Sequence, residues 1–181
     1  TDGDLLTDLE ETAVFATDIN KNDTDGDGFS DGAEVLNLYN PAGAGKLADS
    51  GLTSIYQNSK YGYSVFYPKS FRLEDQLGGD NVFFFSGVDG SIQILAQDNT
   101  DKKNIKSWYA ALVGSTADEV QAEVQIAKNG NEYIFSPDGL TIYLAPVGSN
   151  KVFVLTYSPE ESGSIQFKAV LGMMINSFQL K

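Results

Sequence analysis

The chain contains neither cysteine nor histidine. Without thiols there are no disulfides, zinc–thiolate sites or cysteine nucleophiles. Without imidazole the commonest general base and the commonest transition-metal ligand are missing. Basic residues are scarce, with 12 Lys and Arg against 25 Asp and Glu and a formal net charge of −13. That balance argues against nucleic-acid binding, for which a basic stripe is expected. No apolar run reaches the roughly 18 residues of a membrane-crossing helix, so no membrane span is expected in this fragment. Missing disulfides do not exclude export, because a bound metal can staple a small domain instead.

What is present is concentrated at one end. Residues 1–40 carry 11 acidic residues and one basic residue, Lys21. Ten of the 13 net negative charges therefore lie there, and the rest of the chain is nearly neutral. Acidity is a local property, and the stretch DTDGDGFSDGAE explains it. With Asp23 as position 1, Asp25 is 3, Asp27 is 5, Gly28 is 6, Phe29 is 7, Asp31 is 9 and Glu34 is 12. This is the D-x-[DN]-x-[DN]-G-x5-E loop of calcium sites. Calcium takes about six to eight hard oxygens. Asp23, Asp25 and Asp27 would converge on the ion, and Phe29 would offer its main-chain carbonyl. Asp31 would act directly or through water, and Glu34 would close the shell with both oxygens.

The same grammar recurs 23 residues upstream, where Glu11 aligns with Glu34, Asp8 with Asp31, Asp4 with Asp27 and Asp2 with Asp25. Leu6 takes the carbonyl position, and Leu5 stands where the second loop has glycine. Position 1 of this loop would precede Thr1, so the chain reads as an excised or processed piece of a longer protein. About two calcium ions are expected. Asp18, in the connecting TDINKN, is either a supplementary ligand or an ordinary turn residue.

Residues 1–41 resemble tandem bacterial thrombospondin type 3 repeats, in which each acidic loop is followed by a short helix. LEETAVFAT and GAEVLNLYN supply those helices here, with Leu9, Val14 and Phe15 in one and Val35, Leu36 and Tyr39 in the other. The resemblance implies calcium-dependent folding and a secreted or cell-surface location. The loop–helix units are also similar to dockerin half-hands, which implies an alternative role in binding a protein partner.

PAGAGKLADSG is small and flexible, the acidic density ends there, and residues 42–52 read as a linker. Residues 53–181 make one domain's worth of chain. Alternating or aromatic runs predict strands at 63–67, 82–86, 91–97, 123–127, 132–135, 140–145 and 152–157. Asp89-Gly90, Asn129-Gly130 and Asp138-Gly139 supply hairpin turns. NIKSWYAALV predicts a helix with Ile105, Trp108, Tyr109 and Leu112 on one stripe. A second helix has Ser164 as its cap and Phe167, Val170, Leu171, Met174 and Ile175 at helical spacing. The expected class is α+β, with calcium-binding loop–helix repeats before a mostly antiparallel sheet flanked by two helices.

YGYSVFYPKSF, the helix in mid-chain, the hairpins and the last helix into INSFQL are similar to PsbP-like α/β/α domains. That resemblance implies a fold and a binding role, and no catalytic residue. Glu160, Glu161, Ser70, Ser107 and Asp138 sit in no catalytic motif, so no enzyme is expected, although a catalytic function of unknown type in residues 53–181 is a third reading. With its own stripes and turns, this part is expected to fold alone and to melt independently of calcium.

Overall fold

Side-chain alternation sets the main sheet. In the computed structural model, which describes residues 2–160 and 165–181, the strands are β1 (Thr53–Asn58), β2 (Tyr63–Pro68), β3 (Arg72–Gln76), β4 (Asn81–Phe85), β5 (Ser91–Asp98), β6 (Gln125–Ile126), β7 (Glu132–Phe135), β8 (Thr141–Ala145), β9 (Lys151–Ser158) and β10 (Gln179–Leu180). Seven of them form one antiparallel sheet in the order β3-β4-β5-β9-β8-β7-β6. A separate antiparallel sheet, β1-β2-β10, is not foreshadowed by the sequence as a unit.

Each strand of the large sheet presents its two faces to different neighbours. On β8, Ile142 and Leu144 enter the main core while Tyr143 and Ala145 face the other way. Helix α3 (Ile105–Leu112) covers that second face, burying Ile105 and Tyr109 beside Ile134 and Val152. Asn104 caps it by accepting from the Ser107 N–H. Leu112 departs from the expected stripe and is 54% exposed.

Helix α4 (Lys168–Ser177) lies on the opposite side, against β2. Its expected stripe is buried entirely, and Met173 and Ala169 are buried as well. It is apolar on most of its circumference because more than one neighbour covers it. The expected cap Ser164 and the acid Glu161 lie outside the described residues.

One of those neighbours is the acidic segment. Helix α1 (Asp8–Glu10) runs into a π-helical turn, Glu11–Phe15, and helix α2 (Asp31–Leu36) follows the second loop. Leu6, Val14, Phe15 and Val35 belong to the same buried cluster as Phe84, Phe153 and Met174. Leu47, in the stretch expected to be a linker, is fully buried in that cluster and starts a 3-10 turn, Leu47–Asp49. The acidic segment is therefore fastened to the sheet domain by shared apolar surface, and 42–52 does not run as a free tether. Hydrogen bonds pin it further: Thr7 Oγ1 donates to the Gln166 carbonyl at 2.7 Å, and Asn176 Nδ2 to the Leu36 carbonyl at 2.9 Å.

Candidate metal centre

The two loops have one hydrogen-bond grammar. In the first, the Asp4 N–H donates to Asp2 Oδ1 at 3.2 Å and the Leu6 N–H to Asp4 Oδ1 at 2.9 Å. In the second, the Asp27 N–H donates to Asp25 Oδ1 and the Phe29 N–H to Asp27 Oδ1, both at 3.0 Å. Each bond is displaced by the 23 residues of the sequence period. Aspartates at alternate positions bond the backbone two residues on, which curls each loop. Asp23 does more, accepting from the Gly26 N–H at 2.7 Å and the Gly28 N–H at 2.8 Å.

Position 6 needs a left-handed backbone. Gly28 supplies it with φ +98°. Leu5 adopts φ +84° at the equivalent place, at a steric cost that glycine avoids. Thr7 and Ser30 then cap the helices equivalently, each accepting from the N–H three residues on.

Two groups of carboxylates result, each with oxygens within 4.8 Å of one another. Asp23, Asp25 and Asp27 meet near the surface. Asp4, Glu11 and Asp31 meet in the interior, with relative exposures of 1%, 0% and 0%. Asp31, position 9 of the second loop by spacing, is thus placed with residues of the first. Thr24 holds it there: the Thr24 N–H donates to Asp31 Oδ1 at 2.8 Å and the Thr24 hydroxyl to Oδ2 at 2.6 Å. Its sequence equivalent Asp8 is exposed at the start of α1.

Several of these acids are buried without the partners such groups need. Asp2 Oδ2, Asp4 Oδ2, Glu11 Oε2 and Glu34 Oε2 are inaccessible and have no hydrogen-bond partner among the described residues. Burial pushes the Glu11 carboxyl up to about 7, and the nearby Asp4 and Asp2 charges add to it. Burial likewise raises Glu34 to about 7, reinforced by Asp27 and Asp25. Asp4 and Asp31 are raised by burial against the opposing effect of their N–H donors. Among the described residues no cationic side chain pairs with either group; Lys21 lies 3.9 Å from Asp18 instead. An all-oxygen donor set with unsatisfied buried atoms fits a hard divalent cation.

Asp18 stands apart from both groups, accepting from the Asn20 N–H at 3.1 Å as a turn residue does. Glu10 is a residue that spacing does not single out. It is buried, closes a capping box with Thr7 and accepts from the Val170 N–H of α4 at 2.9 Å. Burial raises its carboxyl to about 7. The T-x-x-E signature of Thr7 and Glu10 is present in the sequence. The contact to α4 has no such signature.

No family model and no curated protein matches this chain. Solved structures similar to it include cyanobacterial PsbP (CyanoP) from Synechocystis sp. PCC 6803, 16% identical with a TM-score of 0.47, covering 78% of this chain and 99% of that one. The Ran-binding protein Mog1p of Saccharomyces cerevisiae is 10% identical with a TM-score of 0.44, covering 71% of this chain and 95% of that one.

Proposed function

We propose that this chain is a calcium-binding module of an exported or surface-displayed protein. Residues 1–41 act as paired thrombospondin type 3-like loops that order on taking up about two ions and precede a non-catalytic, PsbP-like α+β module. The observation that carries the reading is the set of buried carboxylate oxygens without partners at Asp4, Glu11 and Glu34. A buried acceptor left unpaired costs about 1–3 kcal/mol, and more when charged. A divalent cation removes that cost at several oxygens together.

Calcium is favoured over magnesium by the loop form. Magnesium demands near-octahedral geometry and holds its waters, whereas calcium accepts many carboxylates in a flexible shell. The role assigned to the ions is structural. They neutralise the acidic loops and thereby tighten a segment whose apolar side chains, Val14, Phe15 and Val35, pack into the common core. That packing leaves Val14, Phe15 and Val35 unavailable to the partner that the dockerin-like alternative requires. Any protein partner at the cell surface has to use other residues.

Calorimetric titration of chelator-stripped protein tests the reading. Two ions should bind with dissociation constants in the range of extracellular modules, roughly 10⁻⁴–10⁻³ M, or tighter. No binding at 10 mM calcium, ~10-fold above that range, would sink it.

A further inference from the structure

The interior group and the surface group do not divide the way the sequence divides. We propose that Asp4, Glu11 and Asp31 form one buried cation site assembled from both loops, so that the first loop holds its ion only with a carboxylate supplied by the second. The inference rests on the calcium reading above and says which residues make which centre.

Three observations carry it. The oxygens of Asp4, Glu11 and Asp31 lie within 4.8 Å of one another, and all three residues are at most 1% exposed. Asp4 Oδ2 and Glu11 Oε2, on two of these three residues, are inaccessible and have no partner among the described residues. Asp31 is fixed by two hydrogen bonds from Thr24, which sits between Asp23 and Asp25 of the surface group. The loops also touch directly: a Cβ on Gly32 would meet the Asp4 carbonyl oxygen at 2.2 Å, so this approach requires glycine.

The arrangement orders the two binding events. An ion among Asp23, Asp25, Asp27 and Glu34 fixes the loop that contains Thr24, and Thr24 aims Asp31 at Asp4 and Glu11. Filling the surface centre therefore preorganises the buried one, and by reciprocity the buried ion tightens the surface ion by the same factor. Couplings of this kind are typically about 5- to 150-fold. Thr24 is a positioning residue and touches neither ion in this scheme.

Calcium titrations of the wild type and of Glu11→Gln, Glu34→Gln, Asp31→Asn and Thr24→Val chains decide the matter. Asp31→Asn should remove the same ion as Glu11→Gln, and combining the two should cost nothing beyond Glu11→Gln alone. In a Glu34→Gln background, Asp31→Asn should abolish what binding remains. Thr24→Val should weaken the buried ion by about tenfold, as loss of a supporting partner commonly does, with a smaller effect on the surface ion. Asp31→Asn preserves side-chain shape, and circular dichroism in chelator checks that each variant folds. If an Asp31→Asn chain is misfolded, Thr24→Val alone decides: a buried ion bound as tightly as in the wild type overturns the proposal. So does a wild type binding two ions in which Asp31→Asn removes the ion lost in Glu34→Gln. A single wild-type ion that survives Glu11→Gln overturns it as well, with calcium binding itself intact. A wild type that binds none overturns the calcium reading and this inference together.

Discussion

The two acidic loops share spacing, backbone turns and capping, yet one is interior and the other is at the surface. Asp4 and Glu11 are 1% and 0% exposed, while Phe29 of the second loop is 65% exposed and Asp25 and Asp27 are open to solvent. The motif does not decide this; the neighbours do. The first loop contains Glu10, which reaches the N-terminal turn of α4, and is pressed from the other side by Gly32. The outer aspartates of the second face their own backbone and solvent. Equal coordination grammar therefore carries unequal energetic weight, because an unneutralised carboxylate costs far more inside than at the surface.

The largest test of that contrast is removal of the ions. At calcium about 100-fold above the dissociation constant, each ion contributes about 2.7 kcal/mol to stability. Two such ions should raise the melting temperature by roughly 10 °C or more in a chain of this size. Because Phe15, Val35 and Leu47 share a cluster with Phe84 and Phe153, scanning calorimetry should show one transition that moves as a whole. A separate, chelator-insensitive transition would restore the independent module that the sequence predicts.

Next comes Glu11→Gln, whose sign should depend on the metal. With calcium it should cost about 2–3 kcal/mol, the contribution of one ion. In chelator it should stabilise, since it removes a buried charge with no counter-ion. Denaturant melts under both conditions check this, and the same sign in both would show that Glu11 is not a ligand. Gly32→Ala should cost about 1–3 kcal/mol, because its Cβ meets backbone rather than a movable side chain. Gly26→Ala, where nothing lies within 4 Å of the added carbon, should cost only what its positive φ imposes.

The pH dependence should be weaker but of definite sign. Glu11 and Glu34 rise from an ordinary 4.5 to about 7 in the metal-free fold. The native state then binds more protons than the unfolded chain between those values, so their stabilising contribution is complete below 4.5 and lost as pH rises through about 7. Metal-free protein should melt higher at pH 5 than at pH 7.5, and the calcium-induced increment should grow in the opposite direction. Smallest of all, Leu5→Gly should stabilise by at most about 1 kcal/mol through relief of the left-handed backbone, and Gly28→Ala should cost a similar amount. Equal effects of one sign would mean that the loops differ at position 6.

Much of this was legible because it is local. The aspartate spacing, the Asp-Gly and Asn-Gly turns and the stripe of α4 are short-range patterns, and the structure follows them. What escaped is long-range or polar. The β3 sequence RLEDQ carries no alternation because it is an exposed edge strand, and β1 alternates around Ser54 and Gln57. The Glu10–Val170 bond spans 160 residues, and no local rule anticipates it. Spacing also assigned Asp31 to its own loop, since a period says which residues are equivalent and nothing about which face a neighbouring loop will meet.

The π-helical turn at Glu11–Phe15 changes how far the two units can be superposed. From Thr7 to the left-handed Ala16 is nine residues, whereas from Ser30 to the left-handed Leu38 is eight. The first unit is one residue longer between its cap and its left-handed end, and the wider π turn takes up that residue. Every side chain beyond it is rotated by about 100° relative to its counterpart, the angle of one residue on an α-helix. The two units thus correspond as far as the acid that ends each loop and differ immediately after it. Swapping the two loops between units should be tolerated up to Glu11 and Glu34, whereas swapping their helices would turn Phe15 away from the interior it fills.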